Sequence, residues 1–560
     1  MAYNIADLFE HAVDVVPDRV ALIVDDRPIT FAGLDGRASR FADHLRSQGF
    51  GPGDHIGIYA TNSRAWVEAM LGTFKVRAVP INVNYRYVED ELLYLLDNAD
   101  LGALVFDRGL APRVAAVRDQ APQLRHLLHI TDAVDGLEAD GNGRAVEPTL
   151  AALGSLDVED AMAAASPERG SVQRSDGDLY ILYTGGTTGM PKGVVWRHQD
   201  VFMALGGGID VYTNEPVASE YQLAEKAAAI ETPIVSLCLP PLMHGAAQWA
   251  VMRFLFEGGT TVLARRFDPE EAWRTIERWK VNSVMITGDA MGRPLIEALE
   301  ELDAAGTAVD LSSLAAVAST AAVFSPTVKD RFLARLPNTL LVESIGSTET
   351  GANGIAMVEP GATEMQGGPR VRSLRDAVVL DEQLRPLTPG SGQIGRLARR
   401  GNVPLGYFKD EAKTAVTCVT GPDGERYVLA GDMARLEEDG TITLLGRGSQ
   451  CVNTGGEKVF PEEVEAVLKA HPAVFDAVVV GVPDERWGQK VAAVVQLRPG
   501  APEPTLADLD AHCRSRLAGY KIPRQLTVVD EVERSPSGKP DYPWAQRVAA
   551  TAAPATTPST

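Results

Sequence analysis

The sequence predicts an α/β protein with a large N-terminal multi-layer α/β domain over residues 1–447, a smaller mobile α+β C-terminal domain over residues 448–547, and a disordered tail over residues 548–560. Three observations carry that reading. Short apolar strands alternate with amphipathic helices in the N-terminal part, which favours sheets covered by helices. A separate set of apolar stripes from Pro461 onward implies a second core. Between the two lies the glycine-rich stretch Gly446-Arg-Gly-Ser-Gln-Cys-Val-Asn-Thr-Gly-Gly456, a candidate hinge.

In chain order, Leu34 to Gln48 has the spacing of a helix, Gly51-Pro-Gly-Asp54 a turn, and His55 to Ala60 a strand. The same alternation returns with a strand at Thr260 to Ala264, a helix at Ala272 to Trp279 and a strand at Ser283 to Thr287. The helix after Phe267 is signalled by Asp268 as N-cap, Pro269 in the first turn and Glu270 and Glu271 at the positive dipole end. Its Trp273, Ile276 and Trp279 are expected to point inward. In the second unit, Pro461 opens a helix with Val464, Val467 and Leu468 on one face, and Ala477 to Val482 forms a strand. Leu506, Leu509, Cys513 and Leu517 mark another helix ending at Gly519, and Gln525 to Val532 closes the unit as a strand. Val548 to Thr560, an Ala/Thr/Pro run without charge, reads as disordered.

Composition narrows the partners. Among 560 residues, 53 Lys+Arg against 75 Asp+Glu leave a net charge of −22, which repels nucleic-acid backbones and anionic lipid surfaces. A small nucleotide remains compatible, because a distant field is screened within about 10 Å at moderate salt. The four cysteines, Cys238, Cys418, Cys451 and Cys513, form no metal or redox pattern, so reduced thiols and a cytoplasmic location are expected. No apolar run approaches the ~18 residues of a spanning helix, and no transmembrane segment is expected.

The sharpest chemical signal is Tyr183-Thr-Gly-Gly-Thr-Thr-Gly-Met-Pro-Lys-Gly193 between two apolar segments. Gly185, Gly186 and Gly189 free the backbone amides to point inward. Thr184, Thr187 and Thr188 add hydroxyl donors and Lys192 a cation, which together make a nest for phosphate. The loop departs from the Walker pattern, since Met190-Pro191 separates Gly189 from Lys192 and a strand follows instead of a helix. A phosphotransferase of that type is therefore disfavoured.

This loop resembles the signature of the adenylate-forming superfamily, which includes acyl-CoA synthetases, and further motifs follow in that family's order across roughly residues 8 to 545. Ser344-Ile-Gly-Ser-Thr-Glu-Thr-Gly351 resembles its second nucleotide motif, Tyr427-Val-Leu-Ala-Gly-Asp432 its ribose segment, Gly446-Arg447 the start of its hinge, and Ser535-Pro-Ser-Gly-Lys-Pro540 the loop with its catalytic lysine. The resemblance implies ATP, Mg²⁺ and coenzyme A as cofactors. Ser344 and Gly346 would border the nucleotide, Thr348 would contact phosphate or carboxylate, and Glu349 would ligate Mg²⁺. Asp432 and Arg447 would hold the ribose, and Lys539 would bridge the α-phosphate and the acid's carboxylate. Gly455, Gly456, Glu457 and Lys458 resemble the segment that rotation of the small domain brings to the pantetheine arm. Two positions depart from the family's pattern: Ser449 stands at the hinge and Ile345 where an aromatic is usual.

For the acid itself, His244, the Thr287-Gly288-Asp289-Ala-Met291 segment and Ala318-Ser319-Thr320-Ala321-Ala322 resemble walls of the family's acyl pocket. Small residues there leave room for bulk, and each buried methylene contributes about 0.8 kcal/mol. The Thr-Gly-Gly-Thr-Thr-Gly loop, the long segment Met203 to Glu231 before Pro240, the Ser-Thr-Ala-Ala wall and the Gly-Gly-Glu-Lys-Val segment together resemble actinobacterial steroid side-chain CoA ligases. The implied activity is formation of an acyl-adenylate and then an acyl-CoA thioester from a steroid side-chain acid. A medium- or long-chain fatty acid is the alternative substrate, and a non-catalytic nucleotide sensor on the same scaffold the alternative class. Joint retention of Lys192, Glu349, Asp432, Arg447 and Lys539 argues against the sensor.

Overall fold

The computed structural model of the chain describes residues 3–131, 146–186, 189–210, 213–358, 369–454, 457–484, 487–514, 516–534 and 538–551. Two large sheets dominate the N-terminal unit. The first has eight strands, with Val79–Asn82, His55–Tyr59 and Leu101–Asp107 in parallel at its centre. The second has fourteen. Its parallel part runs in the spatial order Val20–Val24, Thr260–Leu263, Val235–Cys238, Ser283–Ile286, Ala316–Ser319 and Leu340–Ser347. From Gly351–Val358 onward the same sheet continues antiparallel to Arg426–Leu436 and Thr441–Arg447.

The largest apolar core lies between these sheets and is filled by the helices Ile5–Val15, Phe31–Ser47, Arg64–Lys75 and Gly245–Phe256. The outer face of the larger sheet is covered by Pro269–Trp279, Gly288–Ala304 and Pro326–Arg335. Local chemistry sets the ends of these helices. The helix expected from Leu34 begins at Phe31, because the Thr30 hydroxyl accepts from the Gly33 amide at 3.1 Å. The helix after Phe267 starts at Pro269, with the Asp268 carboxylate accepting from the Glu271 amide at 2.8 Å. Trp273 and Ile276 are buried, and Trp279 packs partly buried against the same core while its indole N–H donates to Asp26 at 2.8 Å.

Thr441–Arg447 belongs to the large sheet and Val452–Thr454 to a separate five-stranded one, so the chain crosses between units over Gly448–Cys451. The small sheet, built on Val474–Asp484 and Gly488–Leu497, carries an apolar core on each face. The sequence reading of a tail from residue 548 is corrected here. The helix Tyr542–Thr551 takes in its first residues, Val548 to Thr551, with Ala549 only 2 % exposed and its carbonyl accepting from the Gln525 side-chain amide at 2.6 Å. Burial of that face supplies what the Ala/Thr composition concealed. Residues 552–560 lie outside the described residues.

Candidate active site

The glycine-rich segment folds as a hairpin, Leu179–Gly186 against Gly189–Arg197, with Thr184 opposite Lys192 and Gly186 opposite Gly189. Thr187 and Thr188 at its tip lie outside the described residues. Asn82 anchors it: its side chain accepts from the Tyr183 amide and donates to the Tyr183 carbonyl, both at 2.8 Å, and donates to the Met243 carbonyl at 2.7 Å. That one amide fixes the hairpin beside His244. Lys192 pairs with Asp410 at 2.5 Å, and the pair holds the Asp410 carboxyl below its ordinary range.

The second nucleotide motif is a tight turn between the antiparallel strands Leu340–Ser347 and Gly351–Val358. Thr350 donates its amide to the Ser347 hydroxyl at 3.1 Å, and Trp196 donates its indole N–H to the Thr348 carbonyl at 3.0 Å. A side chain on Gly346 would collide with the Gly351 backbone, so this crossing needs glycine. Within the turn, the Glu349 carboxylate accepts from the Tyr407 hydroxyl at 2.7 Å. This proximity, added to burial, pushes the Tyr407 phenol up.

Asp432 and Arg447 face each other in register on neighbouring strands, 3.7 Å apart. Burial raises the Asp432 carboxyl, and Arg447 partly offsets it. Lys539 from the small unit reaches this same place. Burial and the Arg447 cation lower its ammonium, while Glu349 and Asp432 pull it back up. Its loop is held by Arg534, which donates to the Gly538 carbonyl at 2.8 Å and forks onto Asp476 at 2.6 and 2.7 Å. Gly538, at φ +75°, lies so close to Ala290 that an added Cβ would sit 2.6 Å from the alanine methyl.

A continuous cavity of about 1460 Å³ opens from Lys539 past Thr184, His244, Ser344 and Gly346. Its size exceeds the ~300–1,000 Å³ usual for a small-ligand cleft, which suits a bulky or long ligand. Thr348 borders it as well, and Ala318, Ser319, Thr320 and Ala321 form part of the wall. His244 caps the helix Gly245–Phe256, and burial, reinforced by the Lys539 and Arg86 cations, pushes its imidazole down to about 4. Its Nε2 is buried with no hydrogen-bond partner among the described residues.

Other sequence candidates lie elsewhere. Gly288 and Asp289 do not border the cavity: the Gly288 amide donates to the Ser319 hydroxyl at 3.1 Å, behind the wall, and Asp289 faces the small unit. There Asp289 stands 3.8 Å from Lys469, with Arg498 3.8 Å from Glu297 and Arg293 over the Phe475 ring at 5.2 Å. Glu457 and Lys458 form a short strand paired with Val452–Thr454, away from the cavity, and Gly455 and Gly456 lie outside the described residues. Glu462, which the sequence did not single out, sits under the crossing between units. Its carboxyl abuts Gly446, accepts from the Arg447 backbone and faces Glu465 and Asp432; burial pushes it up to about 8.

Among the described residues no cluster of three or more His, Cys, Asp or Glu side chains offers a metal cage. Glu349 alone fits an ion that takes its remaining oxygens from phosphates, as Mg²⁺ does. Nor is any helix of the described residues long and apolar enough to cross a membrane.

The family model described as AMP-binding enzyme matches residues 9–408, and that described as AMP-binding enzyme C-terminal domain matches residues 463–539. The chain is 52% identical over 548 residues to a 3-oxocholest-4-en-26-oate--CoA ligase of Rhodococcus rhodochrous, covering 98% of this chain and 96% of the relative. It is 52% identical over 546 residues, with 98% and 96% covered, to a medium/long-chain-fatty-acid--CoA/3-oxocholest-4-en-26-oate--CoA ligase of Mycobacterium tuberculosis. Among solved structures, the anthranilate CoA ligase AuaEII in complex with anthranoyl-AMP shares the fold, with a TM-score of 0.80, 22% identity and 98% of each chain covered.

Proposed function

The chain belongs to the AMP-binding enzyme family, and from that premise we propose that it is an ATP-dependent acid:CoA ligase acting on a steroid side-chain carboxylate. The observation that carries this reading is Lys539, held toward Glu349 and Asp432 at one end of a cavity of about 1460 Å³. Lys539 donates to the incoming carboxylate and to the α-phosphate at once, offsetting their mutual repulsion. The carboxylate oxygen bonds to the α-phosphorus as that phosphorus parts from pyrophosphate. The hairpin amides from Gly185, Gly186 and Gly189, the hydroxyls of Thr184, Thr187 and Thr188, and Lys192 once drawn from Asp410 cradle the phosphates. Asp432 accepts from the ribose hydroxyls and Arg447 donates to the same sugar, while Ser344, Ile345 and Gly346 border the base. Glu349 would hold magnesium, which would supply charge neutralisation for the leaving pyrophosphate.

We read residues 1–447 as the adenylating unit and residues 448–547, with their helix running on to Thr551, as the unit that then turns. That turn withdraws Lys539 and brings Gly455, Gly456, Glu457 and Lys458 to the pantetheine arm of coenzyme A. The thiol sulfur bonds to the acyl carbon, the acyl–phosphate oxygen bond breaks, AMP leaves, and the thiol proton passes to water. A neutral His244 at the start of the acyl passage favours an apolar acid there. We place the protein in the cytoplasm, where ATP and coenzyme A are supplied and its four free thiols stay reduced.

A fatty acid is a second reading, supported by the apolar middle of the cavity at Trp249, Met285, Val342 and Ile355. CoA-dependent AMP release, measured with ATP, Mg²⁺ and a panel of steroid side-chain acids, palmitate, octanoate and benzoate, separates the readings. The expected result is AMP as product and the highest kcat/KM for a steroid acid. Preference for palmitate or octanoate would move the assignment to fatty acids, and ADP or no nucleotide product would end the ligase reading.

A further inference from the structure

The cavity wall reads row by row along the parallel sheet. Leu237, Val284, Val317 and Leu341 point into the outer core, so their neighbours point the other way. Ser236, Ser283, Ala316 and Leu340 stand abreast at the strand starts, and Met285, Ala318 and Val342 abreast two residues on. All seven border the cavity. Facing them, the helix Gly245–Phe256 lines it with one stripe, Ala246, Trp249, Ala250, Arg253 and Phe254. His244 sits at the Lys539 end of that helix, and Arg253, nine residues later, stands about 14 Å away.

The passage is therefore apolar in the middle and polar at its far end. Arg253 is positioned there by Glu257, Nε to Oε1 2.8 Å. Ser236 borders the space while only 3 % exposed. Beside it in register, the Thr261 hydroxyl is buried without a hydrogen-bond partner among the described residues. Thr261 does not itself border the cavity, so its hydroxyl stands behind Ser236 as a group the Ser236 hydroxyl can complete. Plain hydrocarbon offers no acceptor to Ser236, Ser283 and Arg253, which do border it.

We propose that Ser236, Ser283 and Arg253 form a distal hydrogen-bonding subsite for an oxygen carried at the end of the acid remote from its carboxylate. The guanidinium and the hydroxyls donate, so the ligand group is an acceptor such as a ring ketone. Thr261, one strand spacing of about 4.8 Å from Ser236, can support that hydroxyl from behind. The subsite rests on the ligase reading above and refines it: an oxygenated polycyclic acid is selected over an equally long acid lacking the oxygen.

The test measures kcat/KM for CoA-dependent AMP release with 3-oxocholest-4-en-26-oate, its 3-deoxo counterpart and palmitate. The wild-type protein, Ser236→Ala and Arg253→Met are compared. We expect the wild type to favour the oxo acid over the deoxo acid by about tenfold or more, and each variant to lower that ratio about tenfold, chiefly through KM. Equal efficiency of the wild type on the two steroid acids, a comparison that needs no variant, would overturn the subsite. So would variants that leave the ratio unchanged. Palmitate separates the outcomes: turnover of palmitate without discrimination between the steroid acids removes only the subsite, whereas no AMP from any of the three removes the ligase reading with it.

Discussion

Lys539 has to remain charged in a place that disfavours charge. Burial and Arg447 lower its pKa from the ordinary 10.5, so the ammonium is lost as pH rises through that lowered value. The adenylation half-reaction, followed by pyrophosphate release, is therefore expected to decline on the alkaline side below 10.5. Lys539→Ala should cut that half-reaction by roughly 10²–10³-fold and leave ATP binding, measured by calorimetry, largely intact. Adenylation at the wild-type rate in this variant would contradict the role given to the lysine. At this scale the sequence was most readable where chemistry is written in contiguous motifs, as for Lys192, Glu349, Asp432, Arg447 and Lys539. It was silent on Asn82 and Asp410, whose partners lie 101 and 218 residues away. Asn82 is one asparagine in an apolar strand, and only the hairpin beside it reveals its use.

Between residue and domain stands the strand Thr441–Arg447, which leads into the crossing, with the helix Pro461–Lys469 packed against it. The glycines around it mark a hinge in the sequence, but nothing there marks Glu462 as its companion. With a docked-state pKa of about 8 against an ordinary 4.5, Glu462 favours its protonated form under the crossing. The sign follows from linkage. The protonated form suits the buried place under the crossing, and that support is lost as pH rises through about 8 and the carboxylate forms there. Glu462→Gln is expected to keep that contribution at every pH, flattening the pH dependence of adenylation between 5 and 8 and slowing the thiol half-reaction about two- to fivefold, within the scale of one hydrogen bond. Stopped-flow measurement of each half-reaction checks this; unchanged pH dependence would count against the assignment. The same scale shows why the tail was misread, since Val548 to Thr551 become helical only by lying against the small sheet.

Across the whole molecule, the two-unit plan was legible because each unit carries its own apolar periodicity, but how they meet was not. Asp289 is the instructive residue. Its motif resembled a pocket wall, yet it faces Lys469 of the other unit, with Oδ2 buried and without a hydrogen-bond partner among the described residues. Removing its charge takes one anion from between Arg293, 3.7 Å away, and Lys469, which keeps Asp476 at 3.9 Å. Asp289→Asn should slow adenylation by roughly tenfold or more while raising KM for the acid far less. If KM for the acid rose in step with the loss, Asp289 would act on substrate after all.

The contact of Gly538 with Ala290 has a consequence for the order of events in the reaction cycle. A single methyl on Gly538 meets both a positive φ and the Ala290 side chain, so Gly538→Ala keeps the lysine loop from seating. The protein would then be unable to begin its work, yet still able to finish it: supplied with ready-made acyl-adenylate, it should pass the acyl group to coenzyme A at a rate close to the wild type. Comparing that transfer with overall turnover from ATP would show a synthetase divided by one carbon atom into a starter that has stalled and a transferase that runs.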